Sequence, residues 1–180
     1  MVYFVTSNAH KVRELQAIFS PQVKLAHVAL ELDEIQSLNL HDIVRHKLHQ
    51  AYETLHAPVL VEDVSAELAD LAGLPGPFVK FFNQRLGDDA LYQLAPGSNV
   101  SLTCCMGYYD GTTELLVDGT VHGTVVAPRG ENGFGFDCCV VLDGHTKTCA
   151  KFSPAEKNML SHRYKAVQQM ATALAERSIT

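Results

Sequence analysis

In Val2-Tyr3-Phe4-Val5-Thr6-Ser7-Asn8-Ala9-His10-Lys11-Val12-Arg13-Glu14, four apolar residues run straight into turn and cap chemistry. Val2 to Val5 reads as a short buried strand, and Thr6-Ser7-Asn8 opens a helix. Val12, Leu15, Ile18 and Phe19 recur at helical spacing while Lys11, Arg13 and Glu14 fall elsewhere on the cylinder, so one face packs on a sheet and another stays polar. A helix that starts just past a strand end presents unpaired backbone N–H groups, which favour an anion. Thr6 and Asn8 add side-chain donors and Lys11 a positive charge about one turn in, so the constellation resembles a phosphate cradle. The same residues suit an ordinary capped strand-to-helix connection, and the glycine-rich Walker pattern ending in Lys-Ser/Thr is absent from the chain.

Val23 to Val28 reads as a second short strand, followed by the acidic loop Glu31-Leu32-Asp33-Glu34-Ile35-Gln36. Asn39 and Asp42 can cap a helix whose apolar face is Ile43, Val44, Leu48, Ala51, Tyr52 and Leu55. His46 and His49 lie three apart on it, with His41 and His56 nearby, and read as surface polar residues rather than zinc ligands. Pro58-Val59-Leu60-Val61 is an apolar run of the kind buried on both faces of a sheet, and it is expected to end at Glu62-Asp63. Carboxylates at a strand's carboxyl end fall where open α/β sheets collect ligands, although one could equally cap a neighbouring helix. Gly73-Leu74-Pro75-Gly76-Pro77 makes a rigid turn into a short helix, in which Lys80 alone reads as a solvated charge.

From Val100 to Val126 the periodicity switches to two, with Asp110-Gly111 and Asp118-Gly119 as hairpin signals in an antiparallel, β-rich half. The glycine-punctuated loop Pro128 to Asp137 carries Phe134, Phe136 and Asp137, followed by a strand from Cys138 to Leu142. Glycines around aromatics suit a ring-stacking site, and the two rings suit core anchors equally well. Ser153-Pro154-Ala155-Glu156 is a capping box with proline at the first helical position. Lys157, Asn158, Ser161, His162 and Arg163 then read as a polar surface cluster ahead of a terminal amphipathic helix.

The 180 residues suffice for one substantial core, and no Ser/Gly- or Pro-rich linker divides them, so one domain over residues 1–180 is expected. A net charge of -6 argues against a broad nucleic-acid or membrane surface; a small basic pocket for free nucleotide fits better than a polymer site. No apolar run approaches a membrane span and the N-terminus lacks signal-peptide features, so the cytoplasm is expected. Cys104-Cys105, Cys138-Cys139 and Cys149 show no CxxC spacing and read as buried reduced thiols.

Taken in order, Thr6 to Glu14, Leu60-Val61-Glu62-Asp63, Gly73-Leu74-Pro75-Gly76-Pro77, Pro128-Arg129-Gly130, Gly133-Phe134-Gly135-Phe136-Asp137, Ala155-Glu156-Lys157-Asn158 and Ser161-His162-Arg163 resemble the inosine triphosphate pyrophosphatase family. That family hydrolyses non-standard purine nucleoside triphosphates (ITP, dITP, XTP) to monophosphate and pyrophosphate. Each motif is weak alone; in this order they are highly specific and run nearly the whole chain. The resemblance implies an α/β fold, an elongated mixed sheet with flanking helices in two lobes around a central cleft, and a homodimer. It implies that Thr6, Asn8 and Lys11 hold the phosphates with Ser7 beside them, and that Glu34 and Asp63 hold magnesium (Mg2+). Lys47 and Lys80 would contact the substrate, Phe134 would stack on the purine in the loop with Gly135 and Phe136, and Asp137 would lie beside sugar or base. Lys157, His162 and Arg163 would read the base. Ser7 replaces the family's usual glycine, Cys138 its proline, and Lys151-Phe152 an acidic residue and methionine.

Water attacks the α-phosphorus of a triphosphate only once cations neutralise the phosphate oxygens and a base orients the nucleophile, and Asp63 is the candidate base with Glu62 nearby. Two rivals stand beside this reading. One is a non-catalytic nucleotide-binding module, against which the two metal carboxylates weigh; the other is a Maf-like pyrophosphatase for modified pyrimidine nucleotides, against which Ser161-His162-Arg163 weighs.

Overall fold

The structure, a computed structural model, describes residues 1–18 and 25–177. Strand β1 (Val2–Val5) leads into helix α1 (Ala9–Ile18), β2 (Leu25–Val28), α2 (Leu40–Leu55) and β3 (Val59–Leu68). Then come β4 (Pro75–Gly76), α3 (Val79–Leu86), α4 (Ala90–Leu94), β5 (Asn99–Tyr109) and β6 (Glu114–Val125). The chain closes with β7 (Val140–Leu142), α5 (Pro154–Leu160) and α6 (His162–Arg177). Seven strands make one mixed sheet in the order β2-β1-β3-β5-β6-β7, with β4 paired to β3. The expected Phe19 of α1 and Val23 of β2 lie outside the described residues.

The chain divides into two compact units. The first comprises Met1–Asp63, Cys104–Gly119 and the segment from Arg163 onward; the second comprises Val64–Thr103 and Thr120–His162. In the first unit β1 lies between parallel neighbours, with Val2 opposite Leu25 on β2 and Phe4 opposite Leu60 on β3. The chain leaves β1 to one side and returns on the other, so the carboxyl end of β1 is a topological switch point, where crevices form in sheets of this kind. Helix α2 starts at the Asn39 cap, whose Oδ1 accepts the His41 N–H at 3.0 Å. Its Val44, Leu48 and Ala51 are buried against Val5, Val59 and Val61, with Val44 and Leu48 each contributing about 1.5–3 kcal/mol. The approach is close: a Cβ on Gly107 of β5 would stand 2.5 Å from a Leu48 methyl carbon.

In the second unit Pro75 and Gly76 pair antiparallel with Glu67 and Ala66, after a cis Leu74–Pro75 peptide bond. β7 pairs antiparallel with the end of β6, Val140 opposite Val125. The Ser153 capping box forms as expected: Ser153 Oγ accepts the Glu156 N–H at 3.3 Å and Glu156 Oε2 accepts the Ser153 N–H at 2.8 Å.

Four expectations change. Glu62-Asp63 does not end β3, which runs on to Leu68; ion pairing at Glu62 lets an apolar strand carry a buried carboxylate through its middle. Asp118-Gly119 is no turn but lies inside β6, whereas Asp110-Gly111 does turn, with Asp110 Oδ1 accepting the N–H groups of Thr112 and Thr113 and Gly111 at φ +95°. The strand expected from Cys138 begins only at Val140, because residues 135–139 form a tight helical turn. The region after the capping box is two helices, broken at the extended residue Ser161. All five cysteines are free, and all but Cys138 are buried. Among the described residues no helix is long and apolar enough to cross a membrane.

Candidate functional site

Where β1 stops, Asn8 opens α1. Its Oδ1 accepts the N–H of His10 at 2.9 Å and of Lys11 at 3.3 Å, which satisfies the first turn. Thr6 Oγ1 accepts the Asn8 N–H at 3.2 Å. Cap and cradle are therefore compatible, since the cap uses oxygen lone pairs and leaves the Asn8 NH2 and the Thr6 hydroxyl hydrogen as donors. Ser7 is exposed and has no positive φ, so the turn forms without the freedom of the glycine that Ser7 replaces.

Three cations and four carboxylates interlock behind this turn. Lys11 Nζ lies 2.7 Å from Glu62 Oε1 and 3.8 Å from Asp63 Oδ1. Lys47, a buried residue of α2, reaches Asp63 Oδ2 at 3.0 Å and Glu34 Oε1 at 3.5 Å. Arg163 donates through Nη1 to Glu14 and stands with Nη2 3.4 Å from Glu62 Oε2, an oxygen that also accepts the Cys104 thiol at 3.1 Å. Glu62 is 3% exposed and Arg163 2%. Glu34 and Asp63 thus converge on one ammonium, an all-oxygen donor pair of the hardness that suits a small divalent cation.

The electrostatics follow from these contacts. Burial would push the Glu62 carboxyl up, but Arg163 and Lys11 outweigh it and hold the group far below the usual carboxylate range. Burial likewise opposes ionisation of Asp63 and is outweighed by Lys11 and Lys47, so its pKa falls. Desolvation works against the Lys11 charge too, yet Glu62 and Asp63 raise its pKa. Burial and then the Glu62 charge push the Cys104 thiol up. Groups with depressed carboxyl pKa values stabilise the fold above their unfolded values, 4.5 for Glu62 and 3.8 for Asp63, and lose that contribution as pH falls toward the folded values. Cys104 and Lys11 act oppositely, losing stability as pH rises past 9.0 and 10.5. Urea unfolding against pH should therefore show a stability plateau between about pH 4.5 and 9, and Glu62→Gln should flatten its acid limb.

A second cluster belongs to the second unit. Asp137 is buried, accepts the Phe134 N–H at 2.9 Å and pairs through the same oxygen with Lys157. Lys157 Nζ also lies 4.9 Å from the centroid of the half-exposed Phe134 ring. Gly133 permits this closure: its φ is +84°, and a Cβ there would fall 2.2 Å from Asp137 Oδ2. Phe136 is the core anchor of the pair, buried with its ring 6.1 Å from that of His162. Asp137, Lys157, Ser161 and His162 line one recess. Gly135, at φ +60°, stands near Asn83, and Lys80 is exposed on α3. The expectation that residues 157–163 form a surface cluster is wrong for Lys157, Ser161, His162 and Arg163, all buried because each has a polar partner or packs beside one.

Residues 2–173 match the sequence model of the Ham1 family. This chain belongs to the Ham1 family. Among its relatives, an inosine triphosphate pyrophosphatase of Yarrowia lipolytica is 38% identical, over 98% of this chain and 97% of that one. A protein of the same name from Pyricularia oryzae is 35% identical, over 98% and 94%. The Ham1 protein of Staphylococcus aureus shares the fold, with a TM-score of 0.83 at 22% identity over 98% of this chain and all of that one. Against this Ham1 chain's sequence, two members of the buried charge lattice stood unassigned: Glu14 and Cys104. Cys104 is the kind of donor that a buried Glu62 requires, whereas Glu14 enters only as a partner of Arg163, 149 positions away, which no local pattern signals. Glu62 itself serves as the anchor of Lys11 and Arg163.

Proposed function

We propose that this protein hydrolyses non-standard purine nucleoside triphosphates such as ITP, dITP and XTP to the monophosphate and pyrophosphate. The observation that carries the reading is the convergence of Lys11, Lys47, Glu34 and Asp63 beside the Asn8-capped start of α1, at the carboxyl end of β1, in a Ham1 chain. In this reading Thr6, Asn8 and Lys11 bind phosphate oxygens, with Ser7 at the rim and Lys47 and Lys80 adding charge. Glu34 and Asp63 would hold Mg2+, which when bound neutralises the phosphates and lowers the pKa of water. Asp63 accepts the proton of the attacking water. Glu62 keeps Lys11 aimed and charged and takes no proton, since its own basicity is largely spent on Arg163 and Lys11.

For the base, Phe134 supplies the stacking ring, with Gly135 and Phe136 shaping its loop. Asp137, Lys157 and His162 supply the polar edge, and the family resemblance adds Arg163 to the base readers. Donors facing position 6 favour an oxo group over adenine's amino group, and a mismatch there costs about 1–3 kcal/mol per unpaired group. A homodimer belongs to the same proposal, on the strength of the family resemblance. A Maf-like specificity and a purely binding role fit less well, given the family and the paired carboxylates. The test is product analysis: with ITP and magnesium the protein should release inosine monophosphate and pyrophosphate. Direct release of orthophosphate, with no pyrophosphatase added, would reject attack at the α-phosphorus.

A further inference from the structure

We propose that His41, Cys105 and Asp118 form a binding site for one zinc-class transition-metal ion, separate in chemistry from the carboxylates assigned to magnesium. One ligand atom from each of the three lies within 4.8 Å of the others. They stand on three ordered elements of the first unit: His41 in the first turn of α2, Cys105 in β5 and Asp118 in β6. His41 Nε2 is 2.7 Å from Asp118 Oδ2, which by itself describes a half-exposed ion pair worth little.

Two further features exceed what such a pair needs. Asp118 Oδ1 is buried with no nitrogen or oxygen donor on it among the described residues, and the Cys105 thiol hydrogen-bonds to the same carboxylate, so a cation would enter between groups that already face one another. Cys105 is fully buried at the inner wall, with its thiol in hydrogen-bonding reach of the Asp118 carboxylate. Imidazole, thiol and carboxylate together match the borderline-soft ligand preference of zinc and cobalt, and thiolate disfavours magnesium. Bonds of about 2.0–2.3 Å in a tetrahedron set ligand atoms roughly 3.3–3.8 Å apart, so the cluster must contract by about an ångström at its widest and open slightly between His41 and Asp118. On binding, the Cys105 thiol gives its proton to solvent and its sulfur lone pair to the metal, His41 ligates through Nε2 as the tautomer that carries its proton on Nδ1, its Nε2 proton likewise passing to solvent or to Nδ1, and Asp118 supplies the third bond. His41 and Asp118 are each about 40% exposed on their side chains, 43% and 40%, which leaves an approach from solvent and room for water as the fourth ligand.

The test is cobalt(II) titration of tag-free protein with magnesium in excess, read by absorption. One equivalent should raise a thiolate-to-cobalt charge-transfer band in the near ultraviolet, which zinc then removes by displacing the cobalt. Cys105→Ser should abolish the band and Cys138→Ser should leave it. His41→Gln and Asp118→Asn, both at partly exposed positions, should fold whatever Cys105→Ser does, and each should weaken cobalt binding by at least about tenfold. Absence of the band in the wild type, its survival in Cys105→Ser, its loss in Cys138→Ser, or undiminished binding by both His41→Gln and Asp118→Asn would overturn the assignment.

Discussion

Asp63→Asn is expected to lower turnover of ITP by roughly 10²–10⁴-fold while the protein stays folded. The amide keeps the shape of the side chain but can neither accept the water's proton nor ligate a hard cation with a charged oxygen. Folding should survive because each cation that loses Asp63 keeps another carboxylate. Lys47 retains Glu34 at 3.5 Å, and Lys11 retains Glu62 at 2.7 Å. Pyrophosphate release at saturating ITP and magnesium measures the first effect, and urea unfolding the second, with an expected loss below about 2 kcal/mol. Turnover within a few fold of wild type would move the catalytic role to another residue. Glu34 would be next, ahead of Glu62, whose oxygens face Lys11, Arg163 and Cys104 and whose proton affinity is correspondingly low.

The parts of this fold that local chemistry controls were legible in the sequence. The β1 to α1 turn, the Asn39 cap, the Asp110-Gly111 turn and the Ser153 capping box each depend on residues within four positions of one another, so their pattern is visible in a short window. What failed was the environment of charged residues. Glu62-Asp63 looked like a strand end, and Lys157 to Arg163 like a surface, because isolated charges belong in water. The partners that overturn this lie far away in sequence: Glu62 meets Cys104 42 positions on, Lys157 meets Asp137 20 positions back, and Arg163 meets Glu14 149 positions back. Asp118-Gly119 failed for a related reason, since His41, 77 positions away, gives Asp118 a partner inside a continuous strand. The resemblance to a family named the residues proposed for the site without saying that Glu62 would be a buried hub among them.

Arg163→Ala is expected to cost about 3–5 kcal/mol of stability, the loss typical of breaking a buried ion pair from one side. Its side chain is 3% exposed and its partners Glu62 and Glu14 are 0% and 13% exposed, so solvent screens little of the interaction. Glu62 would then rely on Lys11 and the Cys104 thiol alone, and the depressed pKa that Arg163 chiefly maintains should rise. The acid limb of the stability plateau would still begin near 4.5 but become shallower, since the ionised form loses part of its advantage in the folded state. The same substitution tests base reading. If Arg163 also donates toward position 6 of the purine, kcat/KM for ITP should fall far more than for ATP, collapsing the ratio between them. The two effects separate experimentally: urea unfolding with the pH profile reports the charge lattice, and the ITP to ATP ratio, measured well below the melting temperature, reports the base. An equal fractional loss on both substrates together with the stability loss would confine Arg163 to holding Glu62 and Glu14, and base discrimination would then rest on His162 and Lys157. No loss of stability would mean that Lys11 alone neutralises Glu62, and the lattice would be a weaker structure than its distances imply.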